Sequence, residues 1–390
     1  MFIDEFELFL FDADGVIYIG DQLCLGAAEV ISWLQKRGKG VRILTNDSRF
    51  SREEIQEKLS RMNIFLDKED IITASWCAAY YLHKMKASKV RVMGTDALKR
   101  EITEMGVTLV DDSPEAMIIG FNEDLKLKEI QQAIHFVEQG VAFIATNGDI
   151  SYPTPQGRQP ATGAIVRLIE NVTGQKAFIV GKPSSLIFQI AQNGYSPETR
   201  TIMIGDSPEI DILGDHQVNI PAVLVSAQLI QYPTLRDYRI PDGQVNNLFQ
   251  LLEESFQLYP WKKPDFPWPE KIEVAVAAFI LNKNKQILLI KRKDNSYWAL
   301  PTGRMERGET LEEAVIREIK EELNLKIRVK NLVGLYSHPS DQVLSYNVGE
   351  IIQFVTACFL RDRGGGIEKQ SIRNFRIRLL FSFTITSTDG

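Results

Sequence analysis

Cysteine is scarce in this chain: three in 390 residues, Cys24, Cys77 and Cys358, far apart and without a C-x-x-C pair. That excludes a disulfide framework and a thiolate zinc site, and predicts small buried residues in a reducing compartment. Four scattered histidines offer no zinc pattern either. No apolar run approaches a membrane span, and the start, Met1-Phe2-Ile3-Asp4-Glu5, lacks the basic segment of an export signal. Together these absences predict a cytoplasmic protein with no membrane partner. Positive charge is in deficit as well. A net charge of −6 argues against nucleic acid as a partner, so anionic ligands must be drawn by local lysines or metal ions. No internal repeat of fixed period occurs.

What is present is an ordinary globular composition, 44% apolar and 25% charged. A chain of 390 residues is too long for one core and predicts two or three domains. A boundary is visible at Tyr259 to Glu270, YPWKKPDFPWPE, where Pro260, Pro264, Pro267 and Pro269 favour an extended, semi-rigid spacer. Trp261, Phe266 and Trp268 are unusual in a free linker. Either they pin it against one domain, or they belong to the edge of the next.

After that boundary, residues 303–325 read GRMERGETLEEAVIREIKEELNL. Glu318, Glu321 and Glu322 stand at i, i+3 and i+4, so a helix puts three carboxylates on one face. Leu311, Val315, Ile319 and Leu323 form an apolar stripe on the other. Two carboxylates ~4 Å apart repel by about 4 kcal/mol at an effective dielectric near 20. A divalent cation relieves that repulsion, and an all-oxygen set suits Mg2+ or Mn2+.

The stretch resembles the Nudix box, G-x5-E-x7-R-E-U-x-E-E-x-G-U with U aliphatic, through Gly303, Glu309, Arg317, Glu318, Ile319, Glu321, Glu322 and Leu325. Asn324 replaces the last glycine. Upstream, Trp298-Ala299-Leu300-Pro301-Thr302-Gly303 resembles the family's W-x-L-P-G-G, with Thr302 for a glycine. The resemblance implies cleavage of a nucleoside diphosphate linked to a further group X, with Mg2+ or Mn2+ polarising the diphosphate and activating water. It makes Glu318, Glu321 and Glu322 the metal ligands. Gly303, Glu309 and Arg317 support the box, the last two by bracing helix and loop.

The N-terminus carries independent chemistry. An apolar run, Phe6 to Phe11 broken by Glu7, leads into Asp12-Ala13-Asp14-Gly15. Val41 to Leu44 leads into Thr45-Asn46, and Thr201 to Ile204 into Gly205-Asp206-Ser207-Pro208-Glu209-Ile210-Asp211; Lys182 lies between, in Gly181-Lys182-Pro183-Ser184. Short apolar runs of this kind suit parallel strands covered on both faces, and ligands gather at the carboxyl ends of such strands.

In order and content these segments resemble the four motifs of the haloacid dehalogenase (HAD) superfamily phosphatases. The resemblance implies that Asp12 is the nucleophile forming an aspartyl-phosphate. Asp14 would protonate the leaving alcohol and then deprotonate water, which needs a pKa raised above the usual ~3.9. Thr45 and Asn46 would hold the phosphoryl oxygens and Lys182 would neutralise them. Mg2+ would sit between Asp12, the Asp14 carbonyl and Asp206, while Asp211 would orient Lys182 or the metal shell. Nothing bulky separates Asp14 from Thr45, yet more than a hundred residues lie between Thr45 and Lys182. That resembles the class IIA branch (NagD-like or p-nitrophenyl phosphatase-like), whose cap is inserted there. Ala145-Thr146-Asn147 and Pro160-Ala161-Thr162-Gly163-Ala164 resemble the branch's A-T-N and P-G-x-G-A. Ala161 and Asp47 depart from it, and Asn147 and Gly163 also fit as plain turn residues.

The expected fold is α/β: a doubly wound parallel-sheet HAD core with an inserted α/β cap, then an α/β/α Nudix domain with a mixed sheet. The expected boundaries are core 1–75 and 179–258, cap 76–178 with a strand at Ala116 to Phe121, linker 259–270 and Nudix domain 271–390. The expected activity is a bifunctional Mg2+-dependent hydrolase of small phosphorylated metabolites or nucleotides, a homo-oligomer by resemblance to its branch. The alternative keeps the phosphatase and makes the Nudix half a nucleotide sensor. The end of the chain, with three glycines at 364–366 and the alternating Phe381-Ser382-Phe383-Thr384-Ile385-Thr386, reads as a strand where a closing helix is usual. It predicts an abnormally ended Nudix domain with exposed apolar sheet surface.

Overall fold

Five consecutive buried residues, Leu8–Asp12, form the strand on which the N-terminal half is built. The computed structural model describes residues 2–154, 157–282, 284, 286–291, 297–346, 350–361 and 377–382. Alternate side chains of that strand go to opposite faces. Phe9 and Phe11 share a core with Val30, Ile31 and Leu34 of the helix Ala27–Lys36. Leu8 and Leu10 share another with Cys77, Leu82 and Phe188. Cover on both faces is what turns a strand into an apolar run in sequence.

The chain divides into two compact units, Met1–Lys263 and Pro264–Gly390. The first holds a six-stranded parallel sheet in the order Gly243–Val245, Ala222–Val225, Thr201–Gly205, Leu8–Asp12, Gly40–Thr45, Ile71–Thr73. Leu8 lies opposite Thr201 on one side and Gly40 on the other, so Asp12, Thr45 and Gly205 finish side by side. Between the outer strand Ile71–Thr73 and Thr201–Gly205 the chain builds a second parallel sheet. Its order is Phe178–Ile179, Ala142–Ala145, Ala116–Ile119, Lys89–Met93, Thr108–Leu109. Ile130 and Phe136 of the helix Leu127–Glu138, and Val166 and Ile169 of Thr162–Thr173, cover one face of it.

The start of the proline-rich segment is docked. Trp261 stacks on His216 with ring centroids 4.4 Å apart and planes 8° from parallel. Its amide donates to Asp242 Oδ1 at 2.7 Å and its indole N–H to the Leu235 carbonyl at 3.1 Å. Asp242 Oδ2 also accepts from the Ala222 amide at 2.8 Å and lies 2.9 Å from His216 Nε2. Trp261 is thus pinned to the first unit, whereas Phe266 is buried in the second.

In the second unit the strand Lys271–Phe279 runs parallel to Ile351–Arg361 and antiparallel to Thr302–Arg304, and Val329–Tyr336 extends the sheet. The sheet is mixed. The helix Leu311–Leu323 starts on a capping box between Thr310 and Glu313. Its Ala314, Val315, Ile319 and Leu323 share a core with Val276, Ala278 and Phe359. Part of the C-terminal stretch, Ile377–Ser382, is a strand antiparallel to Gln286–Lys291; residues 383–386 lie outside the described ones. Leu332, Val333, Leu335 and Tyr336 are exposed. All three cysteines are free, and Cys24 is only half-buried, contrary to the expectation of burial. No helix among the described residues is long and apolar enough to cross a membrane.

A stacked aromatic pair contributes about 0.5–1.5 kcal/mol beyond its buried area. Trp261→Ala should therefore lower the stability of the first unit by about 1–2 kcal/mol in urea unfolding. An unchanged midpoint would show that this contact does not hold the segment.

Candidate active sites

Lys182 is 2% exposed, and its ammonium lies between two carboxylates, 2.5 Å from Asp12 Oδ1 and 2.7 Å from Asp211 Oδ1. It also donates to the Leu44 carbonyl at 3.3 Å. Burial alone would push Lys182 down, but Asp12 and Asp211 outweigh it and hold its pKa up. Asp12 is pushed well up, by burial first, with Asp211 and Asp206 adding to it and Lys182 opposing. Breaking such a pair by removing one partner costs about 3–5 kcal/mol, because the other charge is stranded.

Each carboxylate has a distinct set of partners. Asp12 Oδ1 takes the Ala13 amide at 2.8 Å as well as Lys182, whereas Oδ2 has no hydrogen-bond donor among the described residues. Asp211 is fully buried and saturated: beyond Lys182 it accepts the amides of Asp206 and Ser207, both at 3.1 Å. Asp206 makes no ion pair among the described residues, and burial first, then Asp211, push its pKa up to about 6 against the opposing charge of Lys182. Oxygens of Asp12, Asp206 and Asp211 lie within 4.8 Å of one another, a carboxylate cluster that suits a hard divalent cation. Gly15 lets the loop come this close. Its φ is +87°, and a Cβ there would stand 2.0 Å from Asp206 Oδ2.

Asp14 is exposed at the mouth, its carboxyl raised by partial burial and by Asp47, with Arg49 opposing. Thr45 Oγ accepts the Asp47 amide at 3.0 Å. Asn46, expected to hold phosphoryl oxygens, has its side chain committed elsewhere. Its Oδ1 accepts the Lys182 amide at 2.7 Å, and its Nδ2 donates to the Lys182 carbonyl at 3.0 Å and to Asp149 at 3.3 Å. Asn147 in turn donates to the Asn46 carbonyl at 2.9 Å. Asn147 and Asp149 thus tie the second sheet's loops to the Lys182 loop, and neither spacing nor motif marks Asp149. Asp47 and Arg49 form a bidentate pair at 2.9 and 2.7 Å. Ser48 closes the same seam: its hydroxyl accepts the Phe121 amide at 3.3 Å and its carbonyl the Thr95 hydroxyl at 2.8 Å.

In the second unit Arg317 is the hub. It donates to Glu309 through Nε at 2.6 Å and Nη2 at 2.9 Å, to Glu318 at 2.9 Å and to Glu321 at 3.3 Å. It also holds the Arg304 carbonyl at 2.9 Å, tying the helix to the strand before it. Arg317 and the Glu306 amide pull Glu309 down to about 2. Gly303 sits against Glu318, where a Cβ would come within 1.8 Å of its Cδ. Asn324 ends the helix with φ +52°, a left-handed position that asparagine tolerates in place of glycine. Among the described residues, Glu318, Glu321 and Glu322 do not converge as the aspartates do.

Known families match both halves of the chain. Residues 9–108 match the haloacid dehalogenase-like hydrolases, 179–249 the HAD-hydrolase-like family, and 271–374 the NUDIX domain. An acid sugar phosphatase of Staphylococcus haemolyticus is 31% identical over 236 residues, covering 60% of this chain and 90% of that protein. Chronophin of Mus musculus is 31% identical over 230 residues, covering 55% and 79%. The crystal structure of a 4-nitrophenylphosphatase from Thermotoga maritima superposes with a TM-score of 0.60 at 26% identity, covering 64% of this chain and 98% of that one. With the Lys182 cluster at the strand ends of the first unit and the Arg317 cluster in the second, the chain belongs to the NagD-like HAD phosphatases and carries a NUDIX domain.

Proposed function

We propose that the chain is a bifunctional, Mg2+-dependent hydrolase. The first unit cleaves phosphomonoesters through an aspartyl-phosphate, and the second cleaves nucleoside diphosphates linked to a further group. The observation that carries the reading is the Lys182 ammonium, held at 2.5 Å from Asp12 at the carboxyl end of the central strand. In this reading 1–75 and 179–258 are the phosphatase core, 76–178 its cap, 259–270 the linker and 271–390 the Nudix domain.

Asp12 Oδ2, free of donors, attacks phosphorus while its Oδ1 stays fixed by Ala13 and Lys182. The bond from phosphorus to the ester oxygen breaks, and Asp14 gives its proton to the departing alcohol. A carboxyl raised as Asp14 is keeps a larger protonated fraction for that step. The Asp14 carboxylate then takes a proton from water, which attacks the aspartyl-phosphate, releasing phosphate and restoring Asp12. The Thr45 hydroxyl, an acceptor toward Asp47, keeps its own proton to donate to a phosphoryl oxygen. Asn46 positions Lys182 through its backbone. Asp12, the Asp14 carbonyl and Asp206 would hold Mg2+, which supplies charge neutralisation for the phosphoryl group. Glu318, Glu321 and Glu322 do not converge among the described residues, but as oxygen donors along one helix face they would, once drawn together, hold the second unit's metal, which would supply activation of water. Arg317 and Glu309 brace that face.

Hydrolysis of a nucleoside diphosphate compound yields phosphomonoesters, the substrate class of the first unit, so the two reactions can run in sequence. Phosphorus NMR of the full chain with Mg2+ and ADP-ribose should show diphosphate giving monoester and then free phosphate. Asp12→Asn should abolish phosphate release, by at least about a thousandfold, and spare diphosphate cleavage; Glu321→Gln should do the reverse. Loss of both activities in either variant would refute separate sites, and an untouched diphosphate would remove the second activity.

Metal should also stabilise the fold in a pH-dependent way. The folded pKa of Asp206, about 6, exceeds the unfolded value near ~3.9. Its ionisation therefore costs stability as pH rises through that window, and a bound cation restores it. The rise in melting temperature on adding Mg2+ should be larger at pH 7.5 than at pH 5.0, and it should shrink in Asp206→Asn. An equal rise at both pH values would remove Asp206 from the metal site.

A further inference from the structure

Three stretches of chain meet at the seam between the two sheets of the first unit. Asn46 follows the strand Gly40–Thr45, residues 146–149 follow the second-sheet strand Ala142–Ala145, and Gly181-Lys182 lead from the second sheet back to the core. The Gly181 amide donates to the Thr146 carbonyl at 2.8 Å, and a Cβ on Gly181 would stand 2.5 Å from that oxygen and from Asn46 Oδ1. The Asn46 carboxamide fills the remaining room, and its two ends are not interchangeable. Its Oδ1 faces a donor, the Lys182 amide at 2.7 Å. Its Nδ2 faces two acceptors, the Lys182 carbonyl at 3.0 Å and Asp149 Oδ2 at 3.3 Å. Turned over, the amide would set donor against donor and its oxygen against a carbonyl and a carboxylate.

Asp149 is itself held in place. Its amide donates to Asn147 Oδ1 at 3.3 Å, and Asn147 Nδ2 donates to the Asn46 carbonyl at 2.9 Å, closing a ring of hydrogen bonds. Its carbonyl accepts the Gly163 amide at 2.8 Å. A Cβ on Gly163 would overlap the Gly148 carbonyl and stand 2.8 Å from that of Asp149, so glycine lets the start of the helix Thr162–Thr173 come this close. Asn147 and Gly163 are turn residues, and the turn they build presents Asp149 to Asn46. Burial pushes the Asp149 carboxyl up, with the Asn46 amide and then Lys182 opposing and Asp211 adding. The group therefore stands on the Lys182 side of the site, away from the Asp14 side where Asp47 and Arg49 act.

We infer that Asp149 is a positioning residue of the phosphatase, supplied by the inserted sheet, which sets turnover by fixing the Asn46 carboxamide and through it the Lys182 backbone. The Lys182 ammonium has to meet Asp12 and Asp211 at once, so its backbone tolerates little displacement. Asn46 grips that backbone on both sides, and Asp149 is the one contact of the Asn46 side chain that comes from the second sheet. A misplacement of about 1 Å at a reacting centre costs up to about a hundredfold in rate. Because Asp149 acts on the lysine and not on the departing alcohol, its loss should slow every monoester alike. The inference rests on the phosphatase reading above and deepens it, since it gives the inserted sheet a part in rate as well as in enclosure.

The test uses the full chain with Mg2+ and two unlike monoesters, p-nitrophenyl phosphate and glycerol 3-phosphate. Asp149→Ala should lower kcat by about tenfold or more for both, with KM held within about twofold. Asp149→Asn, which can still accept from Asn46 Nδ2, should keep kcat within about threefold. In an Asn46→Ala background, Asp149→Ala should change kcat by less than about twofold, because its route to Lys182 has gone. An unchanged kcat would overturn the inference, as would a defect confined to one ester or carried by KM. An equal loss in Asp149→Asn, or full additivity with Asn46→Ala, would overturn it too. Asp149→Leu, close in size and without an acceptor, takes the place of the alanine variant should that one not fold. Calorimetry with orthovanadate, a phosphoryl analogue, gives the second arm, and Asp149→Ala should weaken its binding by about tenfold. Were no monoester hydrolysed, the phosphatase reading would fall and vanadate alone would decide: binding indifferent to Asp149, or no binding, overturns the positioning role.

Discussion

A buried ammonium between two carboxylates is the constraint from which the phosphatase site follows. An isolated charge at the depth of Lys182 would be too costly, so Asp12 and Asp211 must both be present and both close. Asp211 is then saturated by two backbone amides, which fixes the turn after the strand Thr201–Gly205. Asn46 grips the Lys182 backbone on both sides, fixing the loop that carries it. Once these are set, Asp12 Oδ2 and the carboxylates of Asp206 and Asp14 keep oxygens to spare. The division of labour among four acidic residues is thus a consequence of one lysine's solvation.

The second unit uses charge differently. Arg317 is partly exposed and binds Glu309, Glu318 and Glu321 at once. In a wetter setting each contact is weaker, and its value lies in geometry: one side chain ties the helix Leu311–Leu323 to the Arg304 carbonyl and to the preceding loop. Removing Lys182 strands buried charge, whereas removing Arg317 loosens a helix that its apolar stripe still holds.

The parts that could be read from sequence are those where chemistry sits at the end of a doubly covered strand. Asp12, Thr45 and Asp206 each follow an apolar run, because the six-stranded sheet is buried on both faces, and the box around Arg317 combines spacing with composition. Residues that act across the seam between the two sheets escaped. Asp149 matters through Asn46, which is far away in sequence, and no local pattern announces it. Asn46 itself was legible as a site residue but not in its partners. Arg49 reads as an ordinary surface arginine until the fold brings Phe121 and Tyr152 to it. The docking of Trp261 on His216 was open between two readings, since a proline-rich stretch specifies extension but not the surface it lies on. Asn324 departs from its motif only in identity, because the left-handed cap that glycine usually supplies is kept.

The central strand Leu8–Asp12 takes one neighbour, Gly40–Thr45, from the chain just after it and the other, Thr201–Gly205, from beyond the whole second sheet. As the polypeptide leaves the ribosome, the oldest strand therefore waits with an apolar, unpaired edge while more than a hundred later residues are made. Such an edge is a template for wrong pairing, and the intervening sheet, continuous in sequence, is free to fold first beside it. Asp12 is the first part of the site to be synthesised, yet its partner Lys182 is 170 residues further on, so the pair that defines the site is a long-range contact of the kind that forms late.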